Sequence, residues 1–309
     1  MKHILPAAIA ALTIVTSQAQ TSSALYTPVI SPDVPASVSL CGRSVDLDRT
    51  DMWERFDREL TSMIYTHGNT MLTIKRANKY FPVMAPVLKK NGIPEDFLYL
   101  ACIESYLNPR AYSPAKAAGI WQFMPGTAKQ YGLEVSDEVD ERYNLEKATR
   151  AACTYLKKAY DKYGNWESVM AAYNGGTARI SNALADQNAS SAYDIYLTEE
   201  TSRYPFRVMA MKTIMENPRQ FGFRLKADQL YQPVSYKTVE VTGPVESWAG
   251  WAADHGITYA QLREANPWIR AAKLTNKAGK TYRVNIPQDG ALSRSRQEKT
   301  IYNKNWVAQ

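Results

Sequence analysis

The spacing of apolar residues between residues 51 and 230 restricts this part of the chain to a helical fold. In its first segment, apolar side chains recur every fourth residue, at Met52, Phe56, Leu60 and Ile64. This spacing places them on one face of an α-helix, whereas a half-buried strand would need apolar and polar residues to alternate. Such alternation is almost absent from this stretch. The sequence therefore predicts an all-helical domain over residues 51–230 and a mainly α fold.

Several helix ends are marked by residues that favour them. A second helix, with apolar positions between residues 81 and 88, stops at Asn91-Gly92, and glycine commonly ends a helix. Pro94-Glu95-Asp96 then opens a third helix over residues 97–105, because proline and acidic side chains suit a first turn. Similar patterns predict further helices at residues 125–131, 144–163, 166–173, 177–185 and 205–216.

The pattern changes after about residue 230. Residues 236–241 (YKTVEV) and 282–286 (YRVNI) are rich in β-branched residues and are predicted to be strands. Helical patterns at residues 245–255 and 258–265 lie between them. This order predicts a small α+β module, βααβ, over residues 234–288. Residues 289–309 are polar and predict a tail with little fixed structure.

Residues 1–19 have the features of a cleaved signal peptide. Lys2 and His3 precede an apolar run at residues 4–15, and Ser17 and Ala19 supply the small residues that a signal peptidase requires. The run is too short to cross a bilayer; an N-terminal core helix or anchor is the alternative. Residues 20–50, rich in Ser, Pro and Thr, predict a linker. We therefore expect an exported protein.

The balance of charge narrows the class of partner. The formal charge of +7 suits acidic polymers such as nucleic acid, anionic lipid or cell-wall glycopeptide. The chain has no dense run of Lys and Arg of the nucleic-acid-binding type. Its richest stretches, such as Lys157-Lys158, lie within helical patterns and are predicted to be solvated helix faces. We predict no nucleic-acid partner and only peripheral contact with the cell envelope, while the oligomeric state stays open.

The sequence offers little material for a metal site or a nucleophilic centre. Its three cysteines and three histidines are scattered and lack metal-type spacing. Cys102 and Cys153 lie on apolar helix patterns that favour buried free thiols, although an oxidising compartment would permit a disulfide between them. We predict neither a metal nor a cofactor.

One carboxylate, Glu104, lies in an unusual setting. It ends an otherwise apolar helix at residues 97–104 (FLYLACIE). Apolar neighbours and the negative end of the helix dipole both disfavour the charged carboxylate. The neutral form that results near pH 7 is the form that can protonate a glycosidic oxygen. The alternative is that Glu104 simply points outward at a helix end.

Three separated motifs in the helical region resemble the lytic transglycosylase family, whose helical domain is similar to goose-type lysozyme. They are ESYLNP at residues 104–109, AAGIWQFMPGT at residues 117–127 and AAYNGG at residues 171–176. The stretch from residue 71 to residue 95 also looks like the membrane-bound murein transglycosylase D subgroup. The resemblance covers residues 51–223. It implies a lysozyme-like catalytic domain in the periplasm or cell envelope of a Gram-negative bacterium.

By this resemblance, the partner is peptidoglycan and Glu104 is the acid that later acts as base. The family cleaves the β-1,4 bond from N-acetylmuramic acid to N-acetylglucosamine and leaves a 1,6-anhydro end, without a second catalytic carboxylate. The motifs imply that sugar is held by Ser105, Gln122, Tyr173, Asn174 and Tyr204. Near the last of these, Ser202 stands where the family usually carries Arg.

The C-terminal module resembles a LysM domain, a fold that binds glycans containing N-acetylglucosamine. The matching text includes residues 238–243, 255–258, 266–268 and 285–287. The module departs from the family where Gly-Asp-Ser/Thr-Leu is usual, because residues 243–248 read GPVESW. Whether it has retained sugar binding is therefore open.

Two other functions compete with a lytic transglycosylase. Acidic residues cluster in a loop after residue 132, at Glu134, Asp137, Glu138, Asp140 and Glu141. If one of these reached the cleft, it could activate water, and the protein would be a hydrolytic muramidase; a solvated loop is the other interpretation. The third hypothesis is a non-catalytic peptidoglycan-binding protein that has kept the fold.

Overall fold

A computed structural model describes residues 30–307, and from Pro32 onward these residues belong to one compact unit. The signal peptide predicted at residues 1–19 and the start of the predicted linker lie outside the described residues. Within residues 30–307, no helix combines the length and the apolar character needed to cross a bilayer.

The helical region predicted over residues 51–230 is helical in the structure, so the mainly α fold is confirmed. Its apolar core lies between α-helices packed around a central one. These are α1 Thr50–Tyr65, α2 His67–Lys90, α3 Phe97–Ser105, α4 Pro125–Gln130, α5 Leu145–Tyr163, α6 Trp166–Gly175, α7 Thr177–Asp186 and α8 Glu199–Glu216.

The central helix is α3, and other parts of the protein cover most of its surface. Seven of its nine residues are buried, and it packs against α2 and α8. A helix that is apolar all round is suited to a core rather than to a surface. Because packing holds α3 rigidly, it also determines where the carboxyl of Glu104, in its last turn, lies.

The last helix of this domain, α8, begins well before the predicted start at residue 205. Pro205 lacks a backbone N–H and therefore resembles the first residue of a helix, but in the structure it lies inside α8. The preceding turn is held by packing, since Thr201 and Tyr204 are both buried. This turn matters for function because Tyr204 contacts Glu104.

The predicted linker at residues 20–50 needs correction, because it contains a β-hairpin. β1 Ser37–Leu40 pairs antiparallel with β2 Arg43–Asp46. Val38 and Leu40, two residues apart on one face of β1, are both buried against the helical core, as is Leu47. In this short Ser-rich stretch, the two apolar residues alternate with serine, so they lie on the same face of β1 and that face is buried.

The predicted tail at residues 289–309 also needs correction. Trp306 is only 1% exposed, and its indole Nε1–H donates to the carbonyl oxygen of Met215 at 2.7 Å. The amide of Asn78 in α2 holds the same segment, accepting from the N–H of Tyr302 at 2.8 Å and donating to the carbonyl oxygen of Thr300 at 3.0 Å. Aromatic residues in a polar segment thus fasten it to the helical core.

The C-terminal module has the predicted βααβ order. β3 Tyr236–Val241 and β4 Tyr282–Pro287 pair antiparallel, and α9 Trp248–Asp254 and α10 Tyr259–Ala265 lie between them in the chain. The module packs against the helical domain at the acidic loop of residues 134–141. There the N–H of Asp140 donates to the carbonyl oxygen of Trp268, and the N–H of Arg270 donates to that of Glu138, both at 2.9 Å.

The three cysteines, Cys41, Cys102 and Cys153, are free thiols. Cys102 and Cys153 are buried, as their apolar helix patterns predict. Burial raises the pKa of both thiols. They therefore stay in the neutral, unreactive form, and the disulfide that the sequence left open is not formed.

Candidate active site

Glu104 lies where the chain leaves α3 abruptly. The helix ends at the buried Ser105. The two residues that follow it, Tyr106 and Leu107, take left-handed backbone conformations with φ of 50° and 54°. Residues other than glycine adopt this region at a cost, and such strain is concentrated at functional sites. Glu104 as a whole residue is partly exposed.

The surroundings of Glu104 favour the neutral acid at moderate pH. Burial raises the pKa of Glu104 from 4.5 to about 7, the largest of the influences on it. The hydroxyl of Tyr204 donates a hydrogen bond to Oε1 of Glu104, and this bond and the positive charge of Arg207 both lower the pKa, while Glu200 raises it. A carboxyl with a pKa near 7 can both donate and accept a proton at neutral pH.

Tyr204 reaches this carboxyl from the first turns of α8. It is 1% exposed, and burial raises the pKa of its phenol well above the ordinary value. Tyr204 therefore stays protonated and donates to Glu104. The sugar contact implied for Tyr204 stays a prediction; in the structure its hydroxyl is a partner of Glu104.

Ser105 is also buried, at 7% exposure. Its hydroxyl donates to the carbonyl oxygen of Ile120 at 2.9 Å. This bond occupies the hydroxyl for which the motifs imply a sugar contact, and that contact stays a prediction. In the structure, Ser105 joins the end of α3 to the loop that carries Gln122.

Gln122 projects from that loop with a left-handed backbone, φ 50°. Its side-chain Nε2 donates to the carbonyl oxygen of Gly119 at 2.8 Å, which leaves the amide oxygen free to accept from a ligand. The side chain is partly exposed and lines a cavity. Gln122 is therefore available to bind a sugar hydroxyl or acetamide.

The loop of residues 116–123 is held by Arg142, which the sequence interpretation missed. The buried guanidinium pairs with both carboxylate oxygens of Asp140 and donates to the carbonyl oxygens of Lys116 at 2.6 Å and Phe123 at 3.0 Å. At Gly119, φ +77°, a Cβ atom would lie 2.0 Å from the carbonyl oxygen of Arg142. The glycine is required here because two backbone segments meet.

Tyr173 and Asn174, at the end of α6, lie on the other side of the same loop. The hydroxyl of Tyr173 donates to the carbonyl oxygen of Trp121 at 2.7 Å, and Oδ1 of Asn174 accepts from Thr201 at 2.9 Å. Both side chains are partly exposed. Burial, and then the charge of Glu104, raise the pKa of Tyr173 well above its ordinary value, so its phenol stays neutral beside the acid.

Two cavities are lined by residues that interact with Glu104. The first, of about 630 Å³, is lined by residues that include Gln122, Tyr173 and Asn174. The second, of about 540 Å³, is lined by residues that include Tyr106, Glu200 and Arg207. Tyr173, which lines the first cavity, and Arg207 and Glu200, which line the second, all interact electrostatically with the Glu104 carboxyl.

The acidic loop, by contrast, is used for structural contacts. Oε2 of Glu134 accepts from Lys280 at 2.8 Å and from Tyr282 at 3.0 Å. Glu138 accepts from Thr275, Asp140 pairs with Arg142 and Glu141 pairs with Lys147. None of these carboxylates lines either cavity. The structure therefore does not bring a carboxylate of this loop to either cavity, and the water-activating role considered for the loop has no support in these contacts.

The described part of the chain contains no group of three or more His, Cys, Asp and Glu side chains arranged to hold a metal ion. The polar groups that converge on the site are the carboxyl of Glu104, the amides of Gln122 and Asn174 and the phenols of Tyr173 and Tyr204. These groups can transfer a proton and bind neutral polar ligands.

A mainly helical domain that holds an acid of raised pKa, followed by a small βααβ module, is the arrangement to be compared with known proteins. Residues 83–196 match the family described as Transglycosylase SLT domain. Residues 237–290 match the Soluble lytic transglycosylase C-terminal LysM-like domain. The chain thus carries both domains and is homologous to membrane-bound lytic murein transglycosylase D.

Membrane-bound lytic murein transglycosylase D of Escherichia coli is 29% identical over 243 residues, which are 77% of this chain and 52% of that protein. Membrane-bound lytic murein transglycosylase C of Haemophilus ducreyi is 26% identical over 199 residues, 56% of this chain and 54% of that protein. The chain spans about half the length of these relatives. A crystal structure of the 70 kDa soluble lytic transglycosylase of Escherichia coli aligns with a TM-score of 0.39 and 25% identity, covering 44% of this chain and 24% of that one.

Proposed function

We propose that this protein is a peptidoglycan lytic transglycosylase in which Glu104 is the general acid and then the general base. The observation that carries the proposal is a carboxyl whose pKa burial raises to about 7, and which interacts with Tyr173, Glu200 and Arg207, residues that line two cavities. The similarity of residues 83–196 to the Transglycosylase SLT domain indicates the substrate class, peptidoglycan glycan strands.

In the proposed first step, protonated Glu104 donates its proton to the oxygen that links N-acetylmuramic acid to N-acetylglucosamine. The bond from the muramyl C1 to this oxygen breaks, and the N-acetylglucosamine part leaves with a new 4-hydroxyl. Positive charge develops at C1, where the muramyl acetamido group of the substrate stabilises it. This use of the substrate is an exception to the usual pair of enzyme carboxylates.

In the second step, the muramyl 6-hydroxyl attacks C1 and closes the 1,6-anhydro ring. Its proton passes to the Glu104 carboxylate, which restores the neutral acid. A group with a pKa near neutrality suits both transfers, because neither protonation state is strongly favoured. In this scheme Gln122, Tyr173 and Asn174 hold the glycan, while Tyr204 and Ser105 position the acid and the loop.

The location of the reaction follows from the substrate. We propose that a signal peptide at residues 1–19 directs the chain to the periplasm or cell envelope, that residues 51–230 form the catalytic domain and that residues 234–288 form the LysM-like module. The homologous murein transglycosylases and the predicted signal peptide support this assignment.

Products test the reaction directly. We expect purified sacculi digested with the protein to release muropeptides with 1,6-anhydro ends, which are lighter by one water than those with reducing ends. Mass spectrometry of the soluble products distinguishes the two. Reducing ends would instead identify a hydrolytic muramidase, and binding to sacculi without release of products would identify a non-catalytic protein.

Removing the hydroxyl of Tyr204 should move the pH profile to higher pH. Because this hydroxyl stabilises the charged form of Glu104, Tyr204→Phe should raise the pKa of the acid by about one unit. The fall of kcat/KM with rising pH, which reports the acid of the free enzyme, should shift upward by the same amount. The measurement is kcat/KM for muropeptide release across the neutral range.

The matched control is Tyr173→Phe, which removes an adjacent hydroxyl that bonds to the Trp121 carbonyl rather than to Glu104. It should lower activity without moving the pKa. An unshifted profile in Tyr204→Phe would show that Glu104 is not the titrating acid, or that Tyr204 does not donate to it.

A further inference from the structure

The exposed face of α5 places two lysines beside the active site. Lys158 and Lys162, four residues apart on the same face of the helix, line the cavity of about 630 Å³ together with Gln122 and Asn174. Lys162 also lines a neighbouring cavity of about 560 Å³. The two lysines therefore lie along a groove formed by these two neighbouring cavities.

Neither lysine is neutralised within the described part of the chain. The ion pairs of α5 lie at its start, where Lys147 pairs with Glu141 and Arg150 pairs with Glu146. Lys162 lies 5.7 Å from the ring of Tyr163, a contact that leaves its charge in place. Both side chains are exposed, so both ammonium groups are available to a ligand.

The cavities of about 630 and 540 Å³ differ in charge. No carboxylate is among the residues that line the cavity of Lys158 and Lys162. The cavity of about 540 Å³ is lined by three carboxylates and two arginines. One of these arginines, Arg203, is already bound through Nε and Nη2 to Glu59 at 2.6 and 3.1 Å. An anionic part of a bound ligand is therefore more favoured on the lysine side than in the other cavity.

We propose that Lys158 and Lys162 form a carboxylate-binding patch that recognises the peptide stems of the glycan strand. The inference rests on the proposed function, which brings a strand into this groove. Linked amino sugars are neutral, and the lactyl group of each substituted muramyl residue is consumed in an amide bond. The free carboxylates of an intact strand therefore belong to its peptides. When a strand is bound beside Gln122 and Asn174, the peptide stems attached there come within reach of the patch.

The test uses the double variant Lys158→Ala/Lys162→Ala of the full chain, with Lys157→Ala as matched control. Lys157 is an equally exposed neighbour on α5 that does not line the groove. On native sacculi the double variant should raise the apparent KM about threefold to tenfold at low salt, with kcat unchanged. The control should match wild type, and added salt should reduce the difference because it screens exposed charges.

Two modified substrates identify the source of the negative charge. Sacculi whose peptide carboxylates are converted to amides should raise the apparent KM of wild type toward that of the double variant. Sacculi stripped of peptides by an amidase carry a free lactyl carboxylate instead. Discrimination between wild type and the double variant should be lost on the stripped strands; if it persists there, the patch binds lactyl groups and the assignment to peptides is overturned.

A binding measurement separates this inference from the proposed reaction. In the Glu104→Gln background, co-sedimentation with native sacculi should weaken by the same threefold to tenfold when both lysines are replaced. If wild type forms no anhydro ends but this loss of binding is observed, the reaction fails and the patch stands. Equal binding with and without the lysines, or an equal loss in Lys157→Ala, would overturn the patch while leaving the reaction intact.

Discussion

Replacing Glu104 with Gln should lower kcat on peptidoglycan by about 10³-fold or more. The amide has nearly the same shape as the acid, and its oxygen can still accept the hydrogen bond that Tyr204 donates to Glu104. It can neither protonate the glycosidic oxygen nor take the proton of the muramyl hydroxyl. Both proposed steps are therefore lost together, while the cavities that hold the glycan are retained. Release of muropeptides from sacculi, measured beside co-sedimentation, separates turnover from binding.

The stability of Glu104→Gln provides the control for folding. The folded state holds the pKa of Glu104 at about 7 instead of 4.5, so it binds more protons than the unfolded state between these values. Wild type therefore loses stability as pH rises through this interval, up to about 3 kcal/mol, and the variant does not. At about pH 8 the variant should unfold at higher denaturant concentration than wild type, whereas in acid, below the usual pKa, this advantage should vanish. Substantial residual turnover in a folded variant would refute Glu104 as the acid.

Replacing Gly119 with Ala should lower the free energy of unfolding by about 2–5 kcal/mol. The added Cβ would lie 2.0 Å from the carbonyl oxygen of Arg142, and the residue has φ of +77°. Neither partner can move easily, because Arg142 is clamped between Asp140 and the carbonyl oxygens of the opposite loop. Any relief requires the loop that carries Gln122 to shift, so kcat/KM should fall as well. Denaturant unfolding and muropeptide release measure the two effects.

Gly164→Ala is the matched control for the backbone. Gly164, which ends α5, has φ of +68° but open space around its Cβ position. Its substitution should lower the free energy of unfolding by about 1–2 kcal/mol, because alanine is disfavoured at positive φ. It should leave kcat/KM unchanged. If the two variants lost equal stability, the close approach between Gly119 and Arg142 would not be a determinant of the fold.

Sequence patterns correctly predicted the features that depend on residues close together in the chain. Apolar residues at helical spacing identified the helical region, alternation and β-branching identified β3 and β4, and the position of Glu104 at the end of an apolar helix indicated a carboxyl of raised pKa. The sequence-based prediction erred where a local signal competes with packing. Pro205 resembles a helix start, yet α8 continues through it because Thr201 and Tyr204 are buried by other helices. Residues 289–309 look like a free tail, yet Trp306 is inserted beside Phe81 and Met215.

The roles of individual site residues were harder to predict than their presence. Ser105 and Tyr204 were both predicted to contact sugar, whereas in the structure both are buried and their hydroxyls bond to Ile120 and Glu104. Arg142 lies in a loop whose composition indicates solvated charge, and no pattern around it signals that its guanidinium joins two loops. Its partners Lys116 and Phe123 are 26 and 19 residues away, too far for spacing to reveal.

The sequence by itself determined the helical class and the βααβ order of the module, and it identified Glu104 as a candidate acid, because each depends on neighbours within a few turns of chain. Only the tertiary structure decided which distant groups act on the pKa of Glu104, where the two cavities lie and how the acidic loop is used. These depend on groups that meet through folding: the phenol of Tyr204 that donates to Glu104 is 100 residues from it along the chain. Burial and hydrogen bonding act over ångströms, whatever the separation in sequence.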